Sequence, residues 1–286
     1  MANTQAFFLP AAPGHAGQRF CLFHAAQSTV VRGSVLYVHP FAEEMNKSRR
    51  MAAMQARALS AAGYAVLQID LYGCGDSSGD LGDAGWDDWV NDVLLGCAWL
   101  RRQDASDAPL WLWGLRAGCL LAAAAAPRIE GDCNFLLWQP PSSGKPLLQQ
   151  FMRLKVAGDL MGGNAKGIMD GMRQQWAAGE PVEIAGYAIT PSLASGLEQA
   201  ALAAPGSLQR AEWFELSTRE DAALAPISAK TVEQWQQAGA TVAARVVNGP
   251  AFWQTAEIEE ASSLIEATTA AMVASTSAIK ALAAAA

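Results

Sequence analysis

Apolar runs alternate with amphipathic stretches along the first part of the chain. The segment GSVLYVHP, residues 33–40, predicts a buried strand because it is short, apolar and rich in strand-forming residues. Residues 46–63 predict a helix that Asn46 caps and Gly63 ends, and residues 64–70 predict the next strand. A strand, a helix and a second strand in this order predict a βαβ unit.

The alternation continues with the apolar strands PLWLWG and NFLLWQP, which flank a helix stopped by Pro127. Residues 141–205 interrupt it, because they are rich in Met, Gly and Gln and show helix-like pieces but no convincing strand, which predicts a helical cap. The strands EWFELS and TVAARVVNG, each followed by a helix, resume it. We therefore predict an α/β protein with a mostly parallel central sheet flanked by helices, a core of residues 1–140 and 206–286, and ligands at the carboxyl ends of the strands.

Composition argues for a globular protein that binds neither nucleic acid nor an anionic membrane surface. The chain has 286 residues, is 51% hydrophobic and carries a net charge of -7, so it lacks the broad basic surface that those partners require. An odd number of cysteines without a C-x-x-C motif argues against a disulfide framework, and we expect a cytoplasmic protein. The cysteines are Cys21, Cys74, Cys97, Cys119 and Cys133.

Neither end of the chain has the pattern of a membrane segment. The first residues lack a basic region followed by an apolar one, and no stretch reaches the roughly 18 uninterrupted apolar residues of a span, so we expect neither a signal peptide nor a membrane helix. The alanine-rich segment after Ala261 carries Glu266 and Lys280 and predicts a surface helix or one that packs on a partner.

The turn between the strand PLWLWG and its helix carries the most specific chemical signal. Residues 114–118 read GLRAG, the G-x-S-x-G frame of a nucleophile elbow with Arg116 in place of serine. With DLYGCGDSSG (residues 70–79) and the order of elements, the chain resembles the α/β-hydrolase superfamily. The segments HPFAEEMNKSRRM, GLRAG and FWQTAEI together resemble the exosortase A system-associated hydrolase type 2 proteins, which implies a bacterial exopolysaccharide and protein-sorting setting but no known reaction.

The resemblance implies a triad in the order nucleophile, acid, histidine, and this chain departs from it twice. Arg116 stands at the serine, and no histidine follows His39, so the segment where the base belongs reads VVNGPAFW. In the acid region, STREDAALAP offers Glu220 and Asp221, which form either the surviving triad carboxylate or a solvated turn.

Backbone groups of an oxyanion hole are expected to remain even without the serine. The resemblance places one donor at the N–H of Phe41 or Ala42 and the other at the N–H of Ala117. Arg116 itself requires an anionic partner at a helix N-terminus. Glu43, Glu44 or Asp221 would make it an internal plug; a ligand carboxylate or phosphate would make it a clamp.

Other candidate groups have simpler structural interpretations. Cys119 is expected to pack in the core, where burial raises the pKa of its thiol. Pro40 keeps His39 and Glu43 off a common helix, so we expect no metal site, and we expect no cofactor. The serines near the expected mouth have no base in sequence reach except His39. They are Ser77, Ser78, Ser142 and Ser143.

These observations favour a protein that has lost serine chemistry and binds a small anionic or acyl ligand, or a protein partner. A first alternative is an unusual hydrolase or acyltransferase in which His39 or Glu43 activates water while Arg116 and the backbone donors hold the oxyanion. A second alternative is a scaffold for export or polysaccharide machinery.

Overall fold

Ten strands and eight helices carry the chain in the computed structural model, which describes residues 4–103, 108–158 and 165–285. The strands are β1 Thr4–Pro10, β2 Gln18–His24, β3 Gly33–Val38, β4 Tyr64–Ile69, β5 Leu110–Leu115, β6 Cys133–Trp138, β7 Val182–Ile184, β8 Tyr187–Ile189, β9 Leu208–Ser217 and β10 Thr241–Asn248. The helices are α1 Glu43–Ala61, α2 Trp86–Gln103, α3 Ala117–Ala125, α4 Lys145–Gly158, α5 Ala165–Ala177, α6 Pro191–Gln199, α7 Pro226–Gln237 and α8 Ser262–Ala285.

The central sheet has eight strands in the order β1-β2-β4-β3-β5-β6-β9-β10. Only the pairings of β2, with β1 and with β4, are antiparallel; the others are parallel, which confirms the mostly parallel sheet. Core residues of α2, α3 and α7 pack on one face, and those of α1 and α8 pack on the other. Because both faces are covered, the inner strands β3, β5 and β6 are fully buried and mostly apolar.

Two local predictions from the sequence are wrong. Helix α1 begins at Glu43 rather than after an Asn46 cap. The chain turns sharply at Ala42, which has φ of 50° and ψ of -128°, so the loop between β3 and α1 is shorter than predicted. Gly63, with φ of 95°, follows the helix as predicted. Residues 141–205, which we call the inserted segment, hold α4, α5 and α6 but also the antiparallel hairpin β7–β8, so the expected absence of strands there is incorrect.

A buried ion pair ties the N-terminal hairpin β1–β2 to the rest of the core. Arg19 of β2 is 1% exposed, and its Nε donates to Oδ1 of Asp92 on α2 at 2.6 Å. The second carboxylate oxygen accepts the backbone N–H of Tyr72 at 2.7 Å, and the guanidinium lies over the Tyr72 ring. The pair is therefore almost fully saturated with partners, as a buried charge requires.

No helix in the described parts of the chain is both long and apolar enough to cross a membrane.

Candidate functional site

The turn between β5 and α3 has the backbone of a nucleophile elbow, with Arg116 at its apex. Arg116 has φ of 54° and ψ of -118°, a strained conformation for a residue with a side chain. The flanking glycines are required sterically. A Cβ on Gly114 would lie 2.5 Å from the amide nitrogen of Cys119, and one on Gly118 would lie 2.1 Å from the carbonyl oxygen of Val38. The G-x-R-x-G sequence therefore folds as an elbow because only glycine fits at both ends.

A second turn of nearly the same conformation lies at the neighbouring strand end. Ala42, between β3 and α1, has φ of 50° and ψ of -128°, and β3 pairs directly with β5. Phe41, Ala42 and Ala117 are all buried, and within the described residues their N–H groups donate to no protein acceptor. Buried donors without acceptors are rare, so this pair of turns forms a candidate site for a ligand oxygen.

The side chain of Arg116 binds the carboxylate of Glu44. Nη2 lies 3.0 Å and Nε 3.2 Å from Glu44 Oε1, and Nη2 also donates to Oε1 of Gln150 on α4 at 3.1 Å. The side chains of Arg116 and Glu44 are only 14% and 16% exposed. Burial raises the pKa of Glu44 above its usual value, and the nearby Arg116 guanidinium opposes that shift. The pair is thus held in a poorly solvated position against the inserted segment.

Aromatic side chains fill the loop after β10 where the resemblance implies a histidine. Phe252 is fully buried and Trp253 is 4% exposed. The guanidinium carbon of Arg116 lies 5.7 Å from the centroid of the Trp253 ring, a cation–π distance. Sequence reasoning did not assign a role to Trp253, since a tryptophan beside Phe252 reads as ordinary core.

The predicted acidic residues after β9 do not reach the site. Glu220 and Asp221 are exposed, and neither forms an ion pair or hydrogen bond with another described residue. Glu215, within β9, is buried instead; it accepts hydrogen bonds from Trp213 Nε1 at 3.3 Å and the backbone N–H of Ala225 at 3.1 Å. Sequence reasoning missed Glu215, because the sequence of a strand does not show whether a single acidic side chain points into the protein or toward solvent.

His39 is buried with both ring nitrogens engaged. Nδ1 donates to the carbonyl oxygen of Pro40 at 2.8 Å, and Nε2 accepts the N–H of Leu71 at 3.2 Å. Burial lowers the pKa of His39. Because Nε2 accepts an N–H in this geometry, that nitrogen carries no proton. No lone pair is left to activate water or a serine. The backbone partners of both ring nitrogens argue against His39 as a base, and the alternative in which His39 or Glu43 activates water stays a prediction.

We expect acid to weaken folding through His39. Its pKa is lowered in the folded state, so below the ordinary value of about 6.5 the unfolded chain binds a proton that the folded chain refuses. Stability should fall with decreasing pH, by up to about 1.4 kcal/mol per pH unit. Urea unfolding of the wild type and His39→Gln at pH 5.0 to 7.5 measures this, and equal slopes in the two proteins would contradict it.

Other nucleophile candidates are also occupied. Ser77 Oγ donates to the carbonyl of Asp70 at 2.5 Å, and Ser78 Oγ accepts the N–H of Gln18 at 3.0 Å, so both serines hold turns rather than face a base. Cys119 is fully buried, and burial strongly raises its thiol pKa, which confirms that it is a packing residue.

Arg116 and Gln150 separate two cavities between the sheet and the inserted segment. The inner cavity, about 60 Å³, is lined by Phe41, Glu43, Glu44, Arg116, Leu147, Gln150, Phe151 and Leu154. The inner cavity meets solvent, since Gln150 and Leu154 in its lining are exposed. The outer cavity is about 280 Å³. It is lined by Arg116, Gln139, Pro140, Pro141, Ser142, Ser143, Pro146, Leu147, Gln150, Glu215, Ala225, Ile227 and Ser228.

Comparison with known proteins identifies a matching family and similar solved structures. Residues 29–179 match the family described as serine aminopeptidase, S33. A thermostable carboxyl esterase from Bacillus coagulans, solved with glycerol, aligns with a TM-score of 0.63 at 17% identity over 98% of this chain and 99% of that chain. Est1E from Butyrivibrio proteoclasticus, bound to ferulic acid, aligns with a TM-score of 0.62 at 14% identity over 94% and 98% of the two chains.

An α/β serine hydrolase homologue from Coxiella burnetii aligns with a TM-score of 0.54 at 14% identity over 96% of this chain and 98% of that chain. No curated protein sequence matches significantly. At these identities the solved structures show the fold alone, and they confirm the predicted α/β-hydrolase fold.

Proposed function

Because this chain belongs to the serine aminopeptidase S33 family and has Arg116 at the apex of its elbow, we propose that it binds a small acyl or anionic ligand without hydrolysing it. The observation that carries the proposal is a paired guanidinium in the nucleophile's place, beside the buried residues Ala42 and Ala117, whose N–H groups donate to no acceptor among the described residues. The site has N–H donors that can bind a ligand oxygen, but its described residues include no nucleophile placed to attack a carbonyl.

Among the described residues, none replaces the nucleophile or the base of a serine hydrolase. A guanidinium stays protonated at all ordinary pH values and is not a nucleophile. The base position is taken by Phe252 and Trp253, and His39 is saturated by backbone. Cys119 has no access to solvent. These features support the interpretation of the triad as degenerate.

Binding of a ligand oxygen is supported by donors that remain available. Nη1 of Arg116 donates to no acceptor among the described residues, and Arg116 lines the outer cavity together with Ser142 and Ser143. A carboxylate or acyl oxygen there would add a charge-assisted hydrogen bond to Nη1 without displacing Glu44. A cavity of about 280 Å³ is close to the lower end of small-molecule sites.

The setting of this activity rests on the resemblance of HPFAEEMNKSRRM and its companion segments. It supports a cytoplasmic protein that acts beside exopolysaccharide or exosortase machinery. Residues 141–205 serve in this proposal as the cap over the ligand.

The test is native mass spectrometry of the purified protein together with active-site labelling. We expect a copurified small molecule, no labelling by a fluorophosphonate and no turnover of nitrophenyl esters, because no serine in the described part of the chain is hydrogen-bonded to a histidine. Stoichiometric labelling of a serine or burst kinetics would overturn the proposal. A copurified protein and no small molecule would favour the scaffold alternative.

A further inference from the structure

A third cavity lies between α1 and the strands β2, β4 and β3, on the face of the sheet that α1 covers. Its volume is about 200 Å³, and it shares no lining residue with the inner or the outer cavity. We call it the α1 cavity; its lining includes Phe20, Leu22, Tyr37, Arg49, Gln68 and Asp70. It is therefore separate from the site at the elbow.

The strand register places a row of side chains across the floor of the α1 cavity. Gln68 of β4 pairs with Tyr37 of β3 on one side and with Leu22 of β2 on the other. Residues directly opposite each other in neighbouring strands point to the same face of the sheet, and the strands are about 4.8 Å apart. Tyr37 and Gln68 therefore present neighbouring polar groups to one cavity.

The hydroxyl of Tyr37 is a buried donor without an acceptor. The residue is 4% exposed, and its oxygen is buried with no hydrogen-bond partner in the described chain. Burial raises the pKa of Tyr37, so the hydroxyl keeps its proton. The Ser48 hydroxyl opposes that shift, but it donates its own hydrogen to the carbonyl oxygens of Glu44 at 2.7 Å and Met45 at 3.2 Å. Unpaired buried polar atoms are rare in folded proteins, and a bound ligand oxygen would satisfy this one.

Two other side chains add donors to the same cavity. Gln68 Oε1 accepts a hydrogen bond from Nε2 of His24 at 3.1 Å, so the Gln68 amide N–H groups are left, and they donate to no acceptor among the described residues. Arg49 gives an N–H of Nη2 to Asp70 Oδ2 at 3.2 Å, and its Nε and Nη1 have no acceptor in the described chain. The cavity therefore offers more donors than acceptors, which suits a ligand with an acceptor oxygen.

The charges in the α1 cavity balance each other. Arg49 forms an ion pair with Asp70, whose Oδ2 also accepts the backbone N–H of Asp76 at 3.0 Å. Gly75 lets the loop close over this pair, since a Cβ there would lie 2.0 Å from Asp70 Oδ2. An anion would place a second negative charge beside Asp70, and a cation would compete with Arg49 for the carboxylate. The balance favours an uncharged ligand.

The rest of the lining is apolar and leaves room for a ring. It consists mainly of Phe20, Leu22, Met45, Ala52, Ala53 and Ile69. An apolar cavity of about 150 Å³ is large enough to bind benzene. The α1 cavity, at about 200 Å³, therefore admits a six-membered ring with one small substituent.

We propose that the α1 cavity binds a small uncharged ring compound that carries a carbonyl group. The hydroxyl of Tyr37 and an amide N–H of Gln68 donate to the carbonyl oxygen, and the ring packs on Phe20 and Leu22. This is a second ligand site, in addition to the one in the proposed function.

The experiment titrates the purified protein with three probes of one size that differ in charge: benzamide, sodium benzoate and benzylammonium chloride, at equal ionic strength. Ligand-observed NMR measures Kd for the wild type and three variants. Tyr37→Phe removes only the hydroxyl, and Ala53→Leu fills the cavity from α1. Tyr72→Phe is the matched control, since Tyr72 does not line the cavity. Thermal unfolding of each variant checks that it is folded.

We expect benzamide to bind the wild type and Tyr72→Phe equally and Tyr37→Phe roughly three- to tenfold more weakly, as the loss of one hydrogen bond predicts. Ala53→Leu should lose benzamide binding. Benzoate binding that Ala53→Leu retains lies outside the α1 cavity, as the inference requires.

Three results would overturn the inference. The first is undiminished benzamide binding by Tyr37→Phe or by Ala53→Leu. The second is binding of benzoate or benzylammonium that equals that of benzamide and that Ala53→Leu abolishes. The third is a wild type that does not bind benzamide. None of the three contradicts the proposed function, because the α1 cavity shares no lining residue with the outer cavity.

Discussion

Replacing Arg116 with serine is expected to lower the free energy of unfolding by about 1 to 4 kcal/mol and to restore no esterase activity. The loss follows because Glu44, 16% exposed, would keep a buried carboxylate without its guanidinium. Activity should stay absent because the new hydroxyl has no base: Trp253 lies where a histidine belongs. Denaturant unfolding and a nitrophenyl ester assay measure the two outcomes.

Two further variants make this result specific. Arg116→Ser combined with Glu44→Gln should recover part of the lost stability, since it removes the stranded charge. Arg153→Ser, an exposed arginine on α4, should change stability by less than about 0.5 kcal/mol. An Arg116→Ser protein as stable as the wild type would show that Arg116 acts as a clamp rather than as an internal plug. Ester turnover would show that a base exists.

Replacing Arg19 with methionine is expected to cost about 3 to 5 kcal/mol, because it leaves the Asp92 carboxyl inside the core without its guanidinium partner. The Asp92 side chain is 4% exposed, and its partner at 2.6 Å would be gone. The β1–β2 hairpin should loosen first, since this pair joins β2 to α2. Urea unfolding and amide hydrogen exchange of residues 4–24 measure the effect.

The matched double variant separates the pair from the packing around it. Arg19→Met with Asp92→Leu should regain part of the stability, because an apolar pair of similar volume removes both desolvated charges although the Tyr72 N–H loses its acceptor. Arg173→Met, an exposed arginine on α5, should be nearly neutral. If Arg19→Met alone proved neutral, the ion pair would have no role in holding the hairpin.

Much of the fold was readable from the chain because burial and period are local properties. Strands β3, β5 and β6 are mostly apolar, with Ser34 and Asn134 as their polar residues, and apolar or amphipathic helices lie between the strands, so the parallel core follows. The hairpin β1–β2 escaped notice because β1 is largely exposed and β2 mixes buried with partly buried positions, so neither strand has the pattern of a core strand. The start of α1 was misplaced because Ala42 gives no sign of its positive φ.

The sequence alone determined the elbow, since only glycine permits the close backbone contacts at positions 114 and 118. It also determined that Arg116 stands in the place of a serine and that no histidine follows His39. Only the tertiary structure decided which partner Arg116 takes. Glu44 is 72 residues away from Arg116 in the sequence. From the sequence, Asp221 was an equally good candidate for the ion pair, and only the arrangement of the strands selects Glu44. Charge pairing between distant residues depends on where folding places them, and no local pattern records that distance.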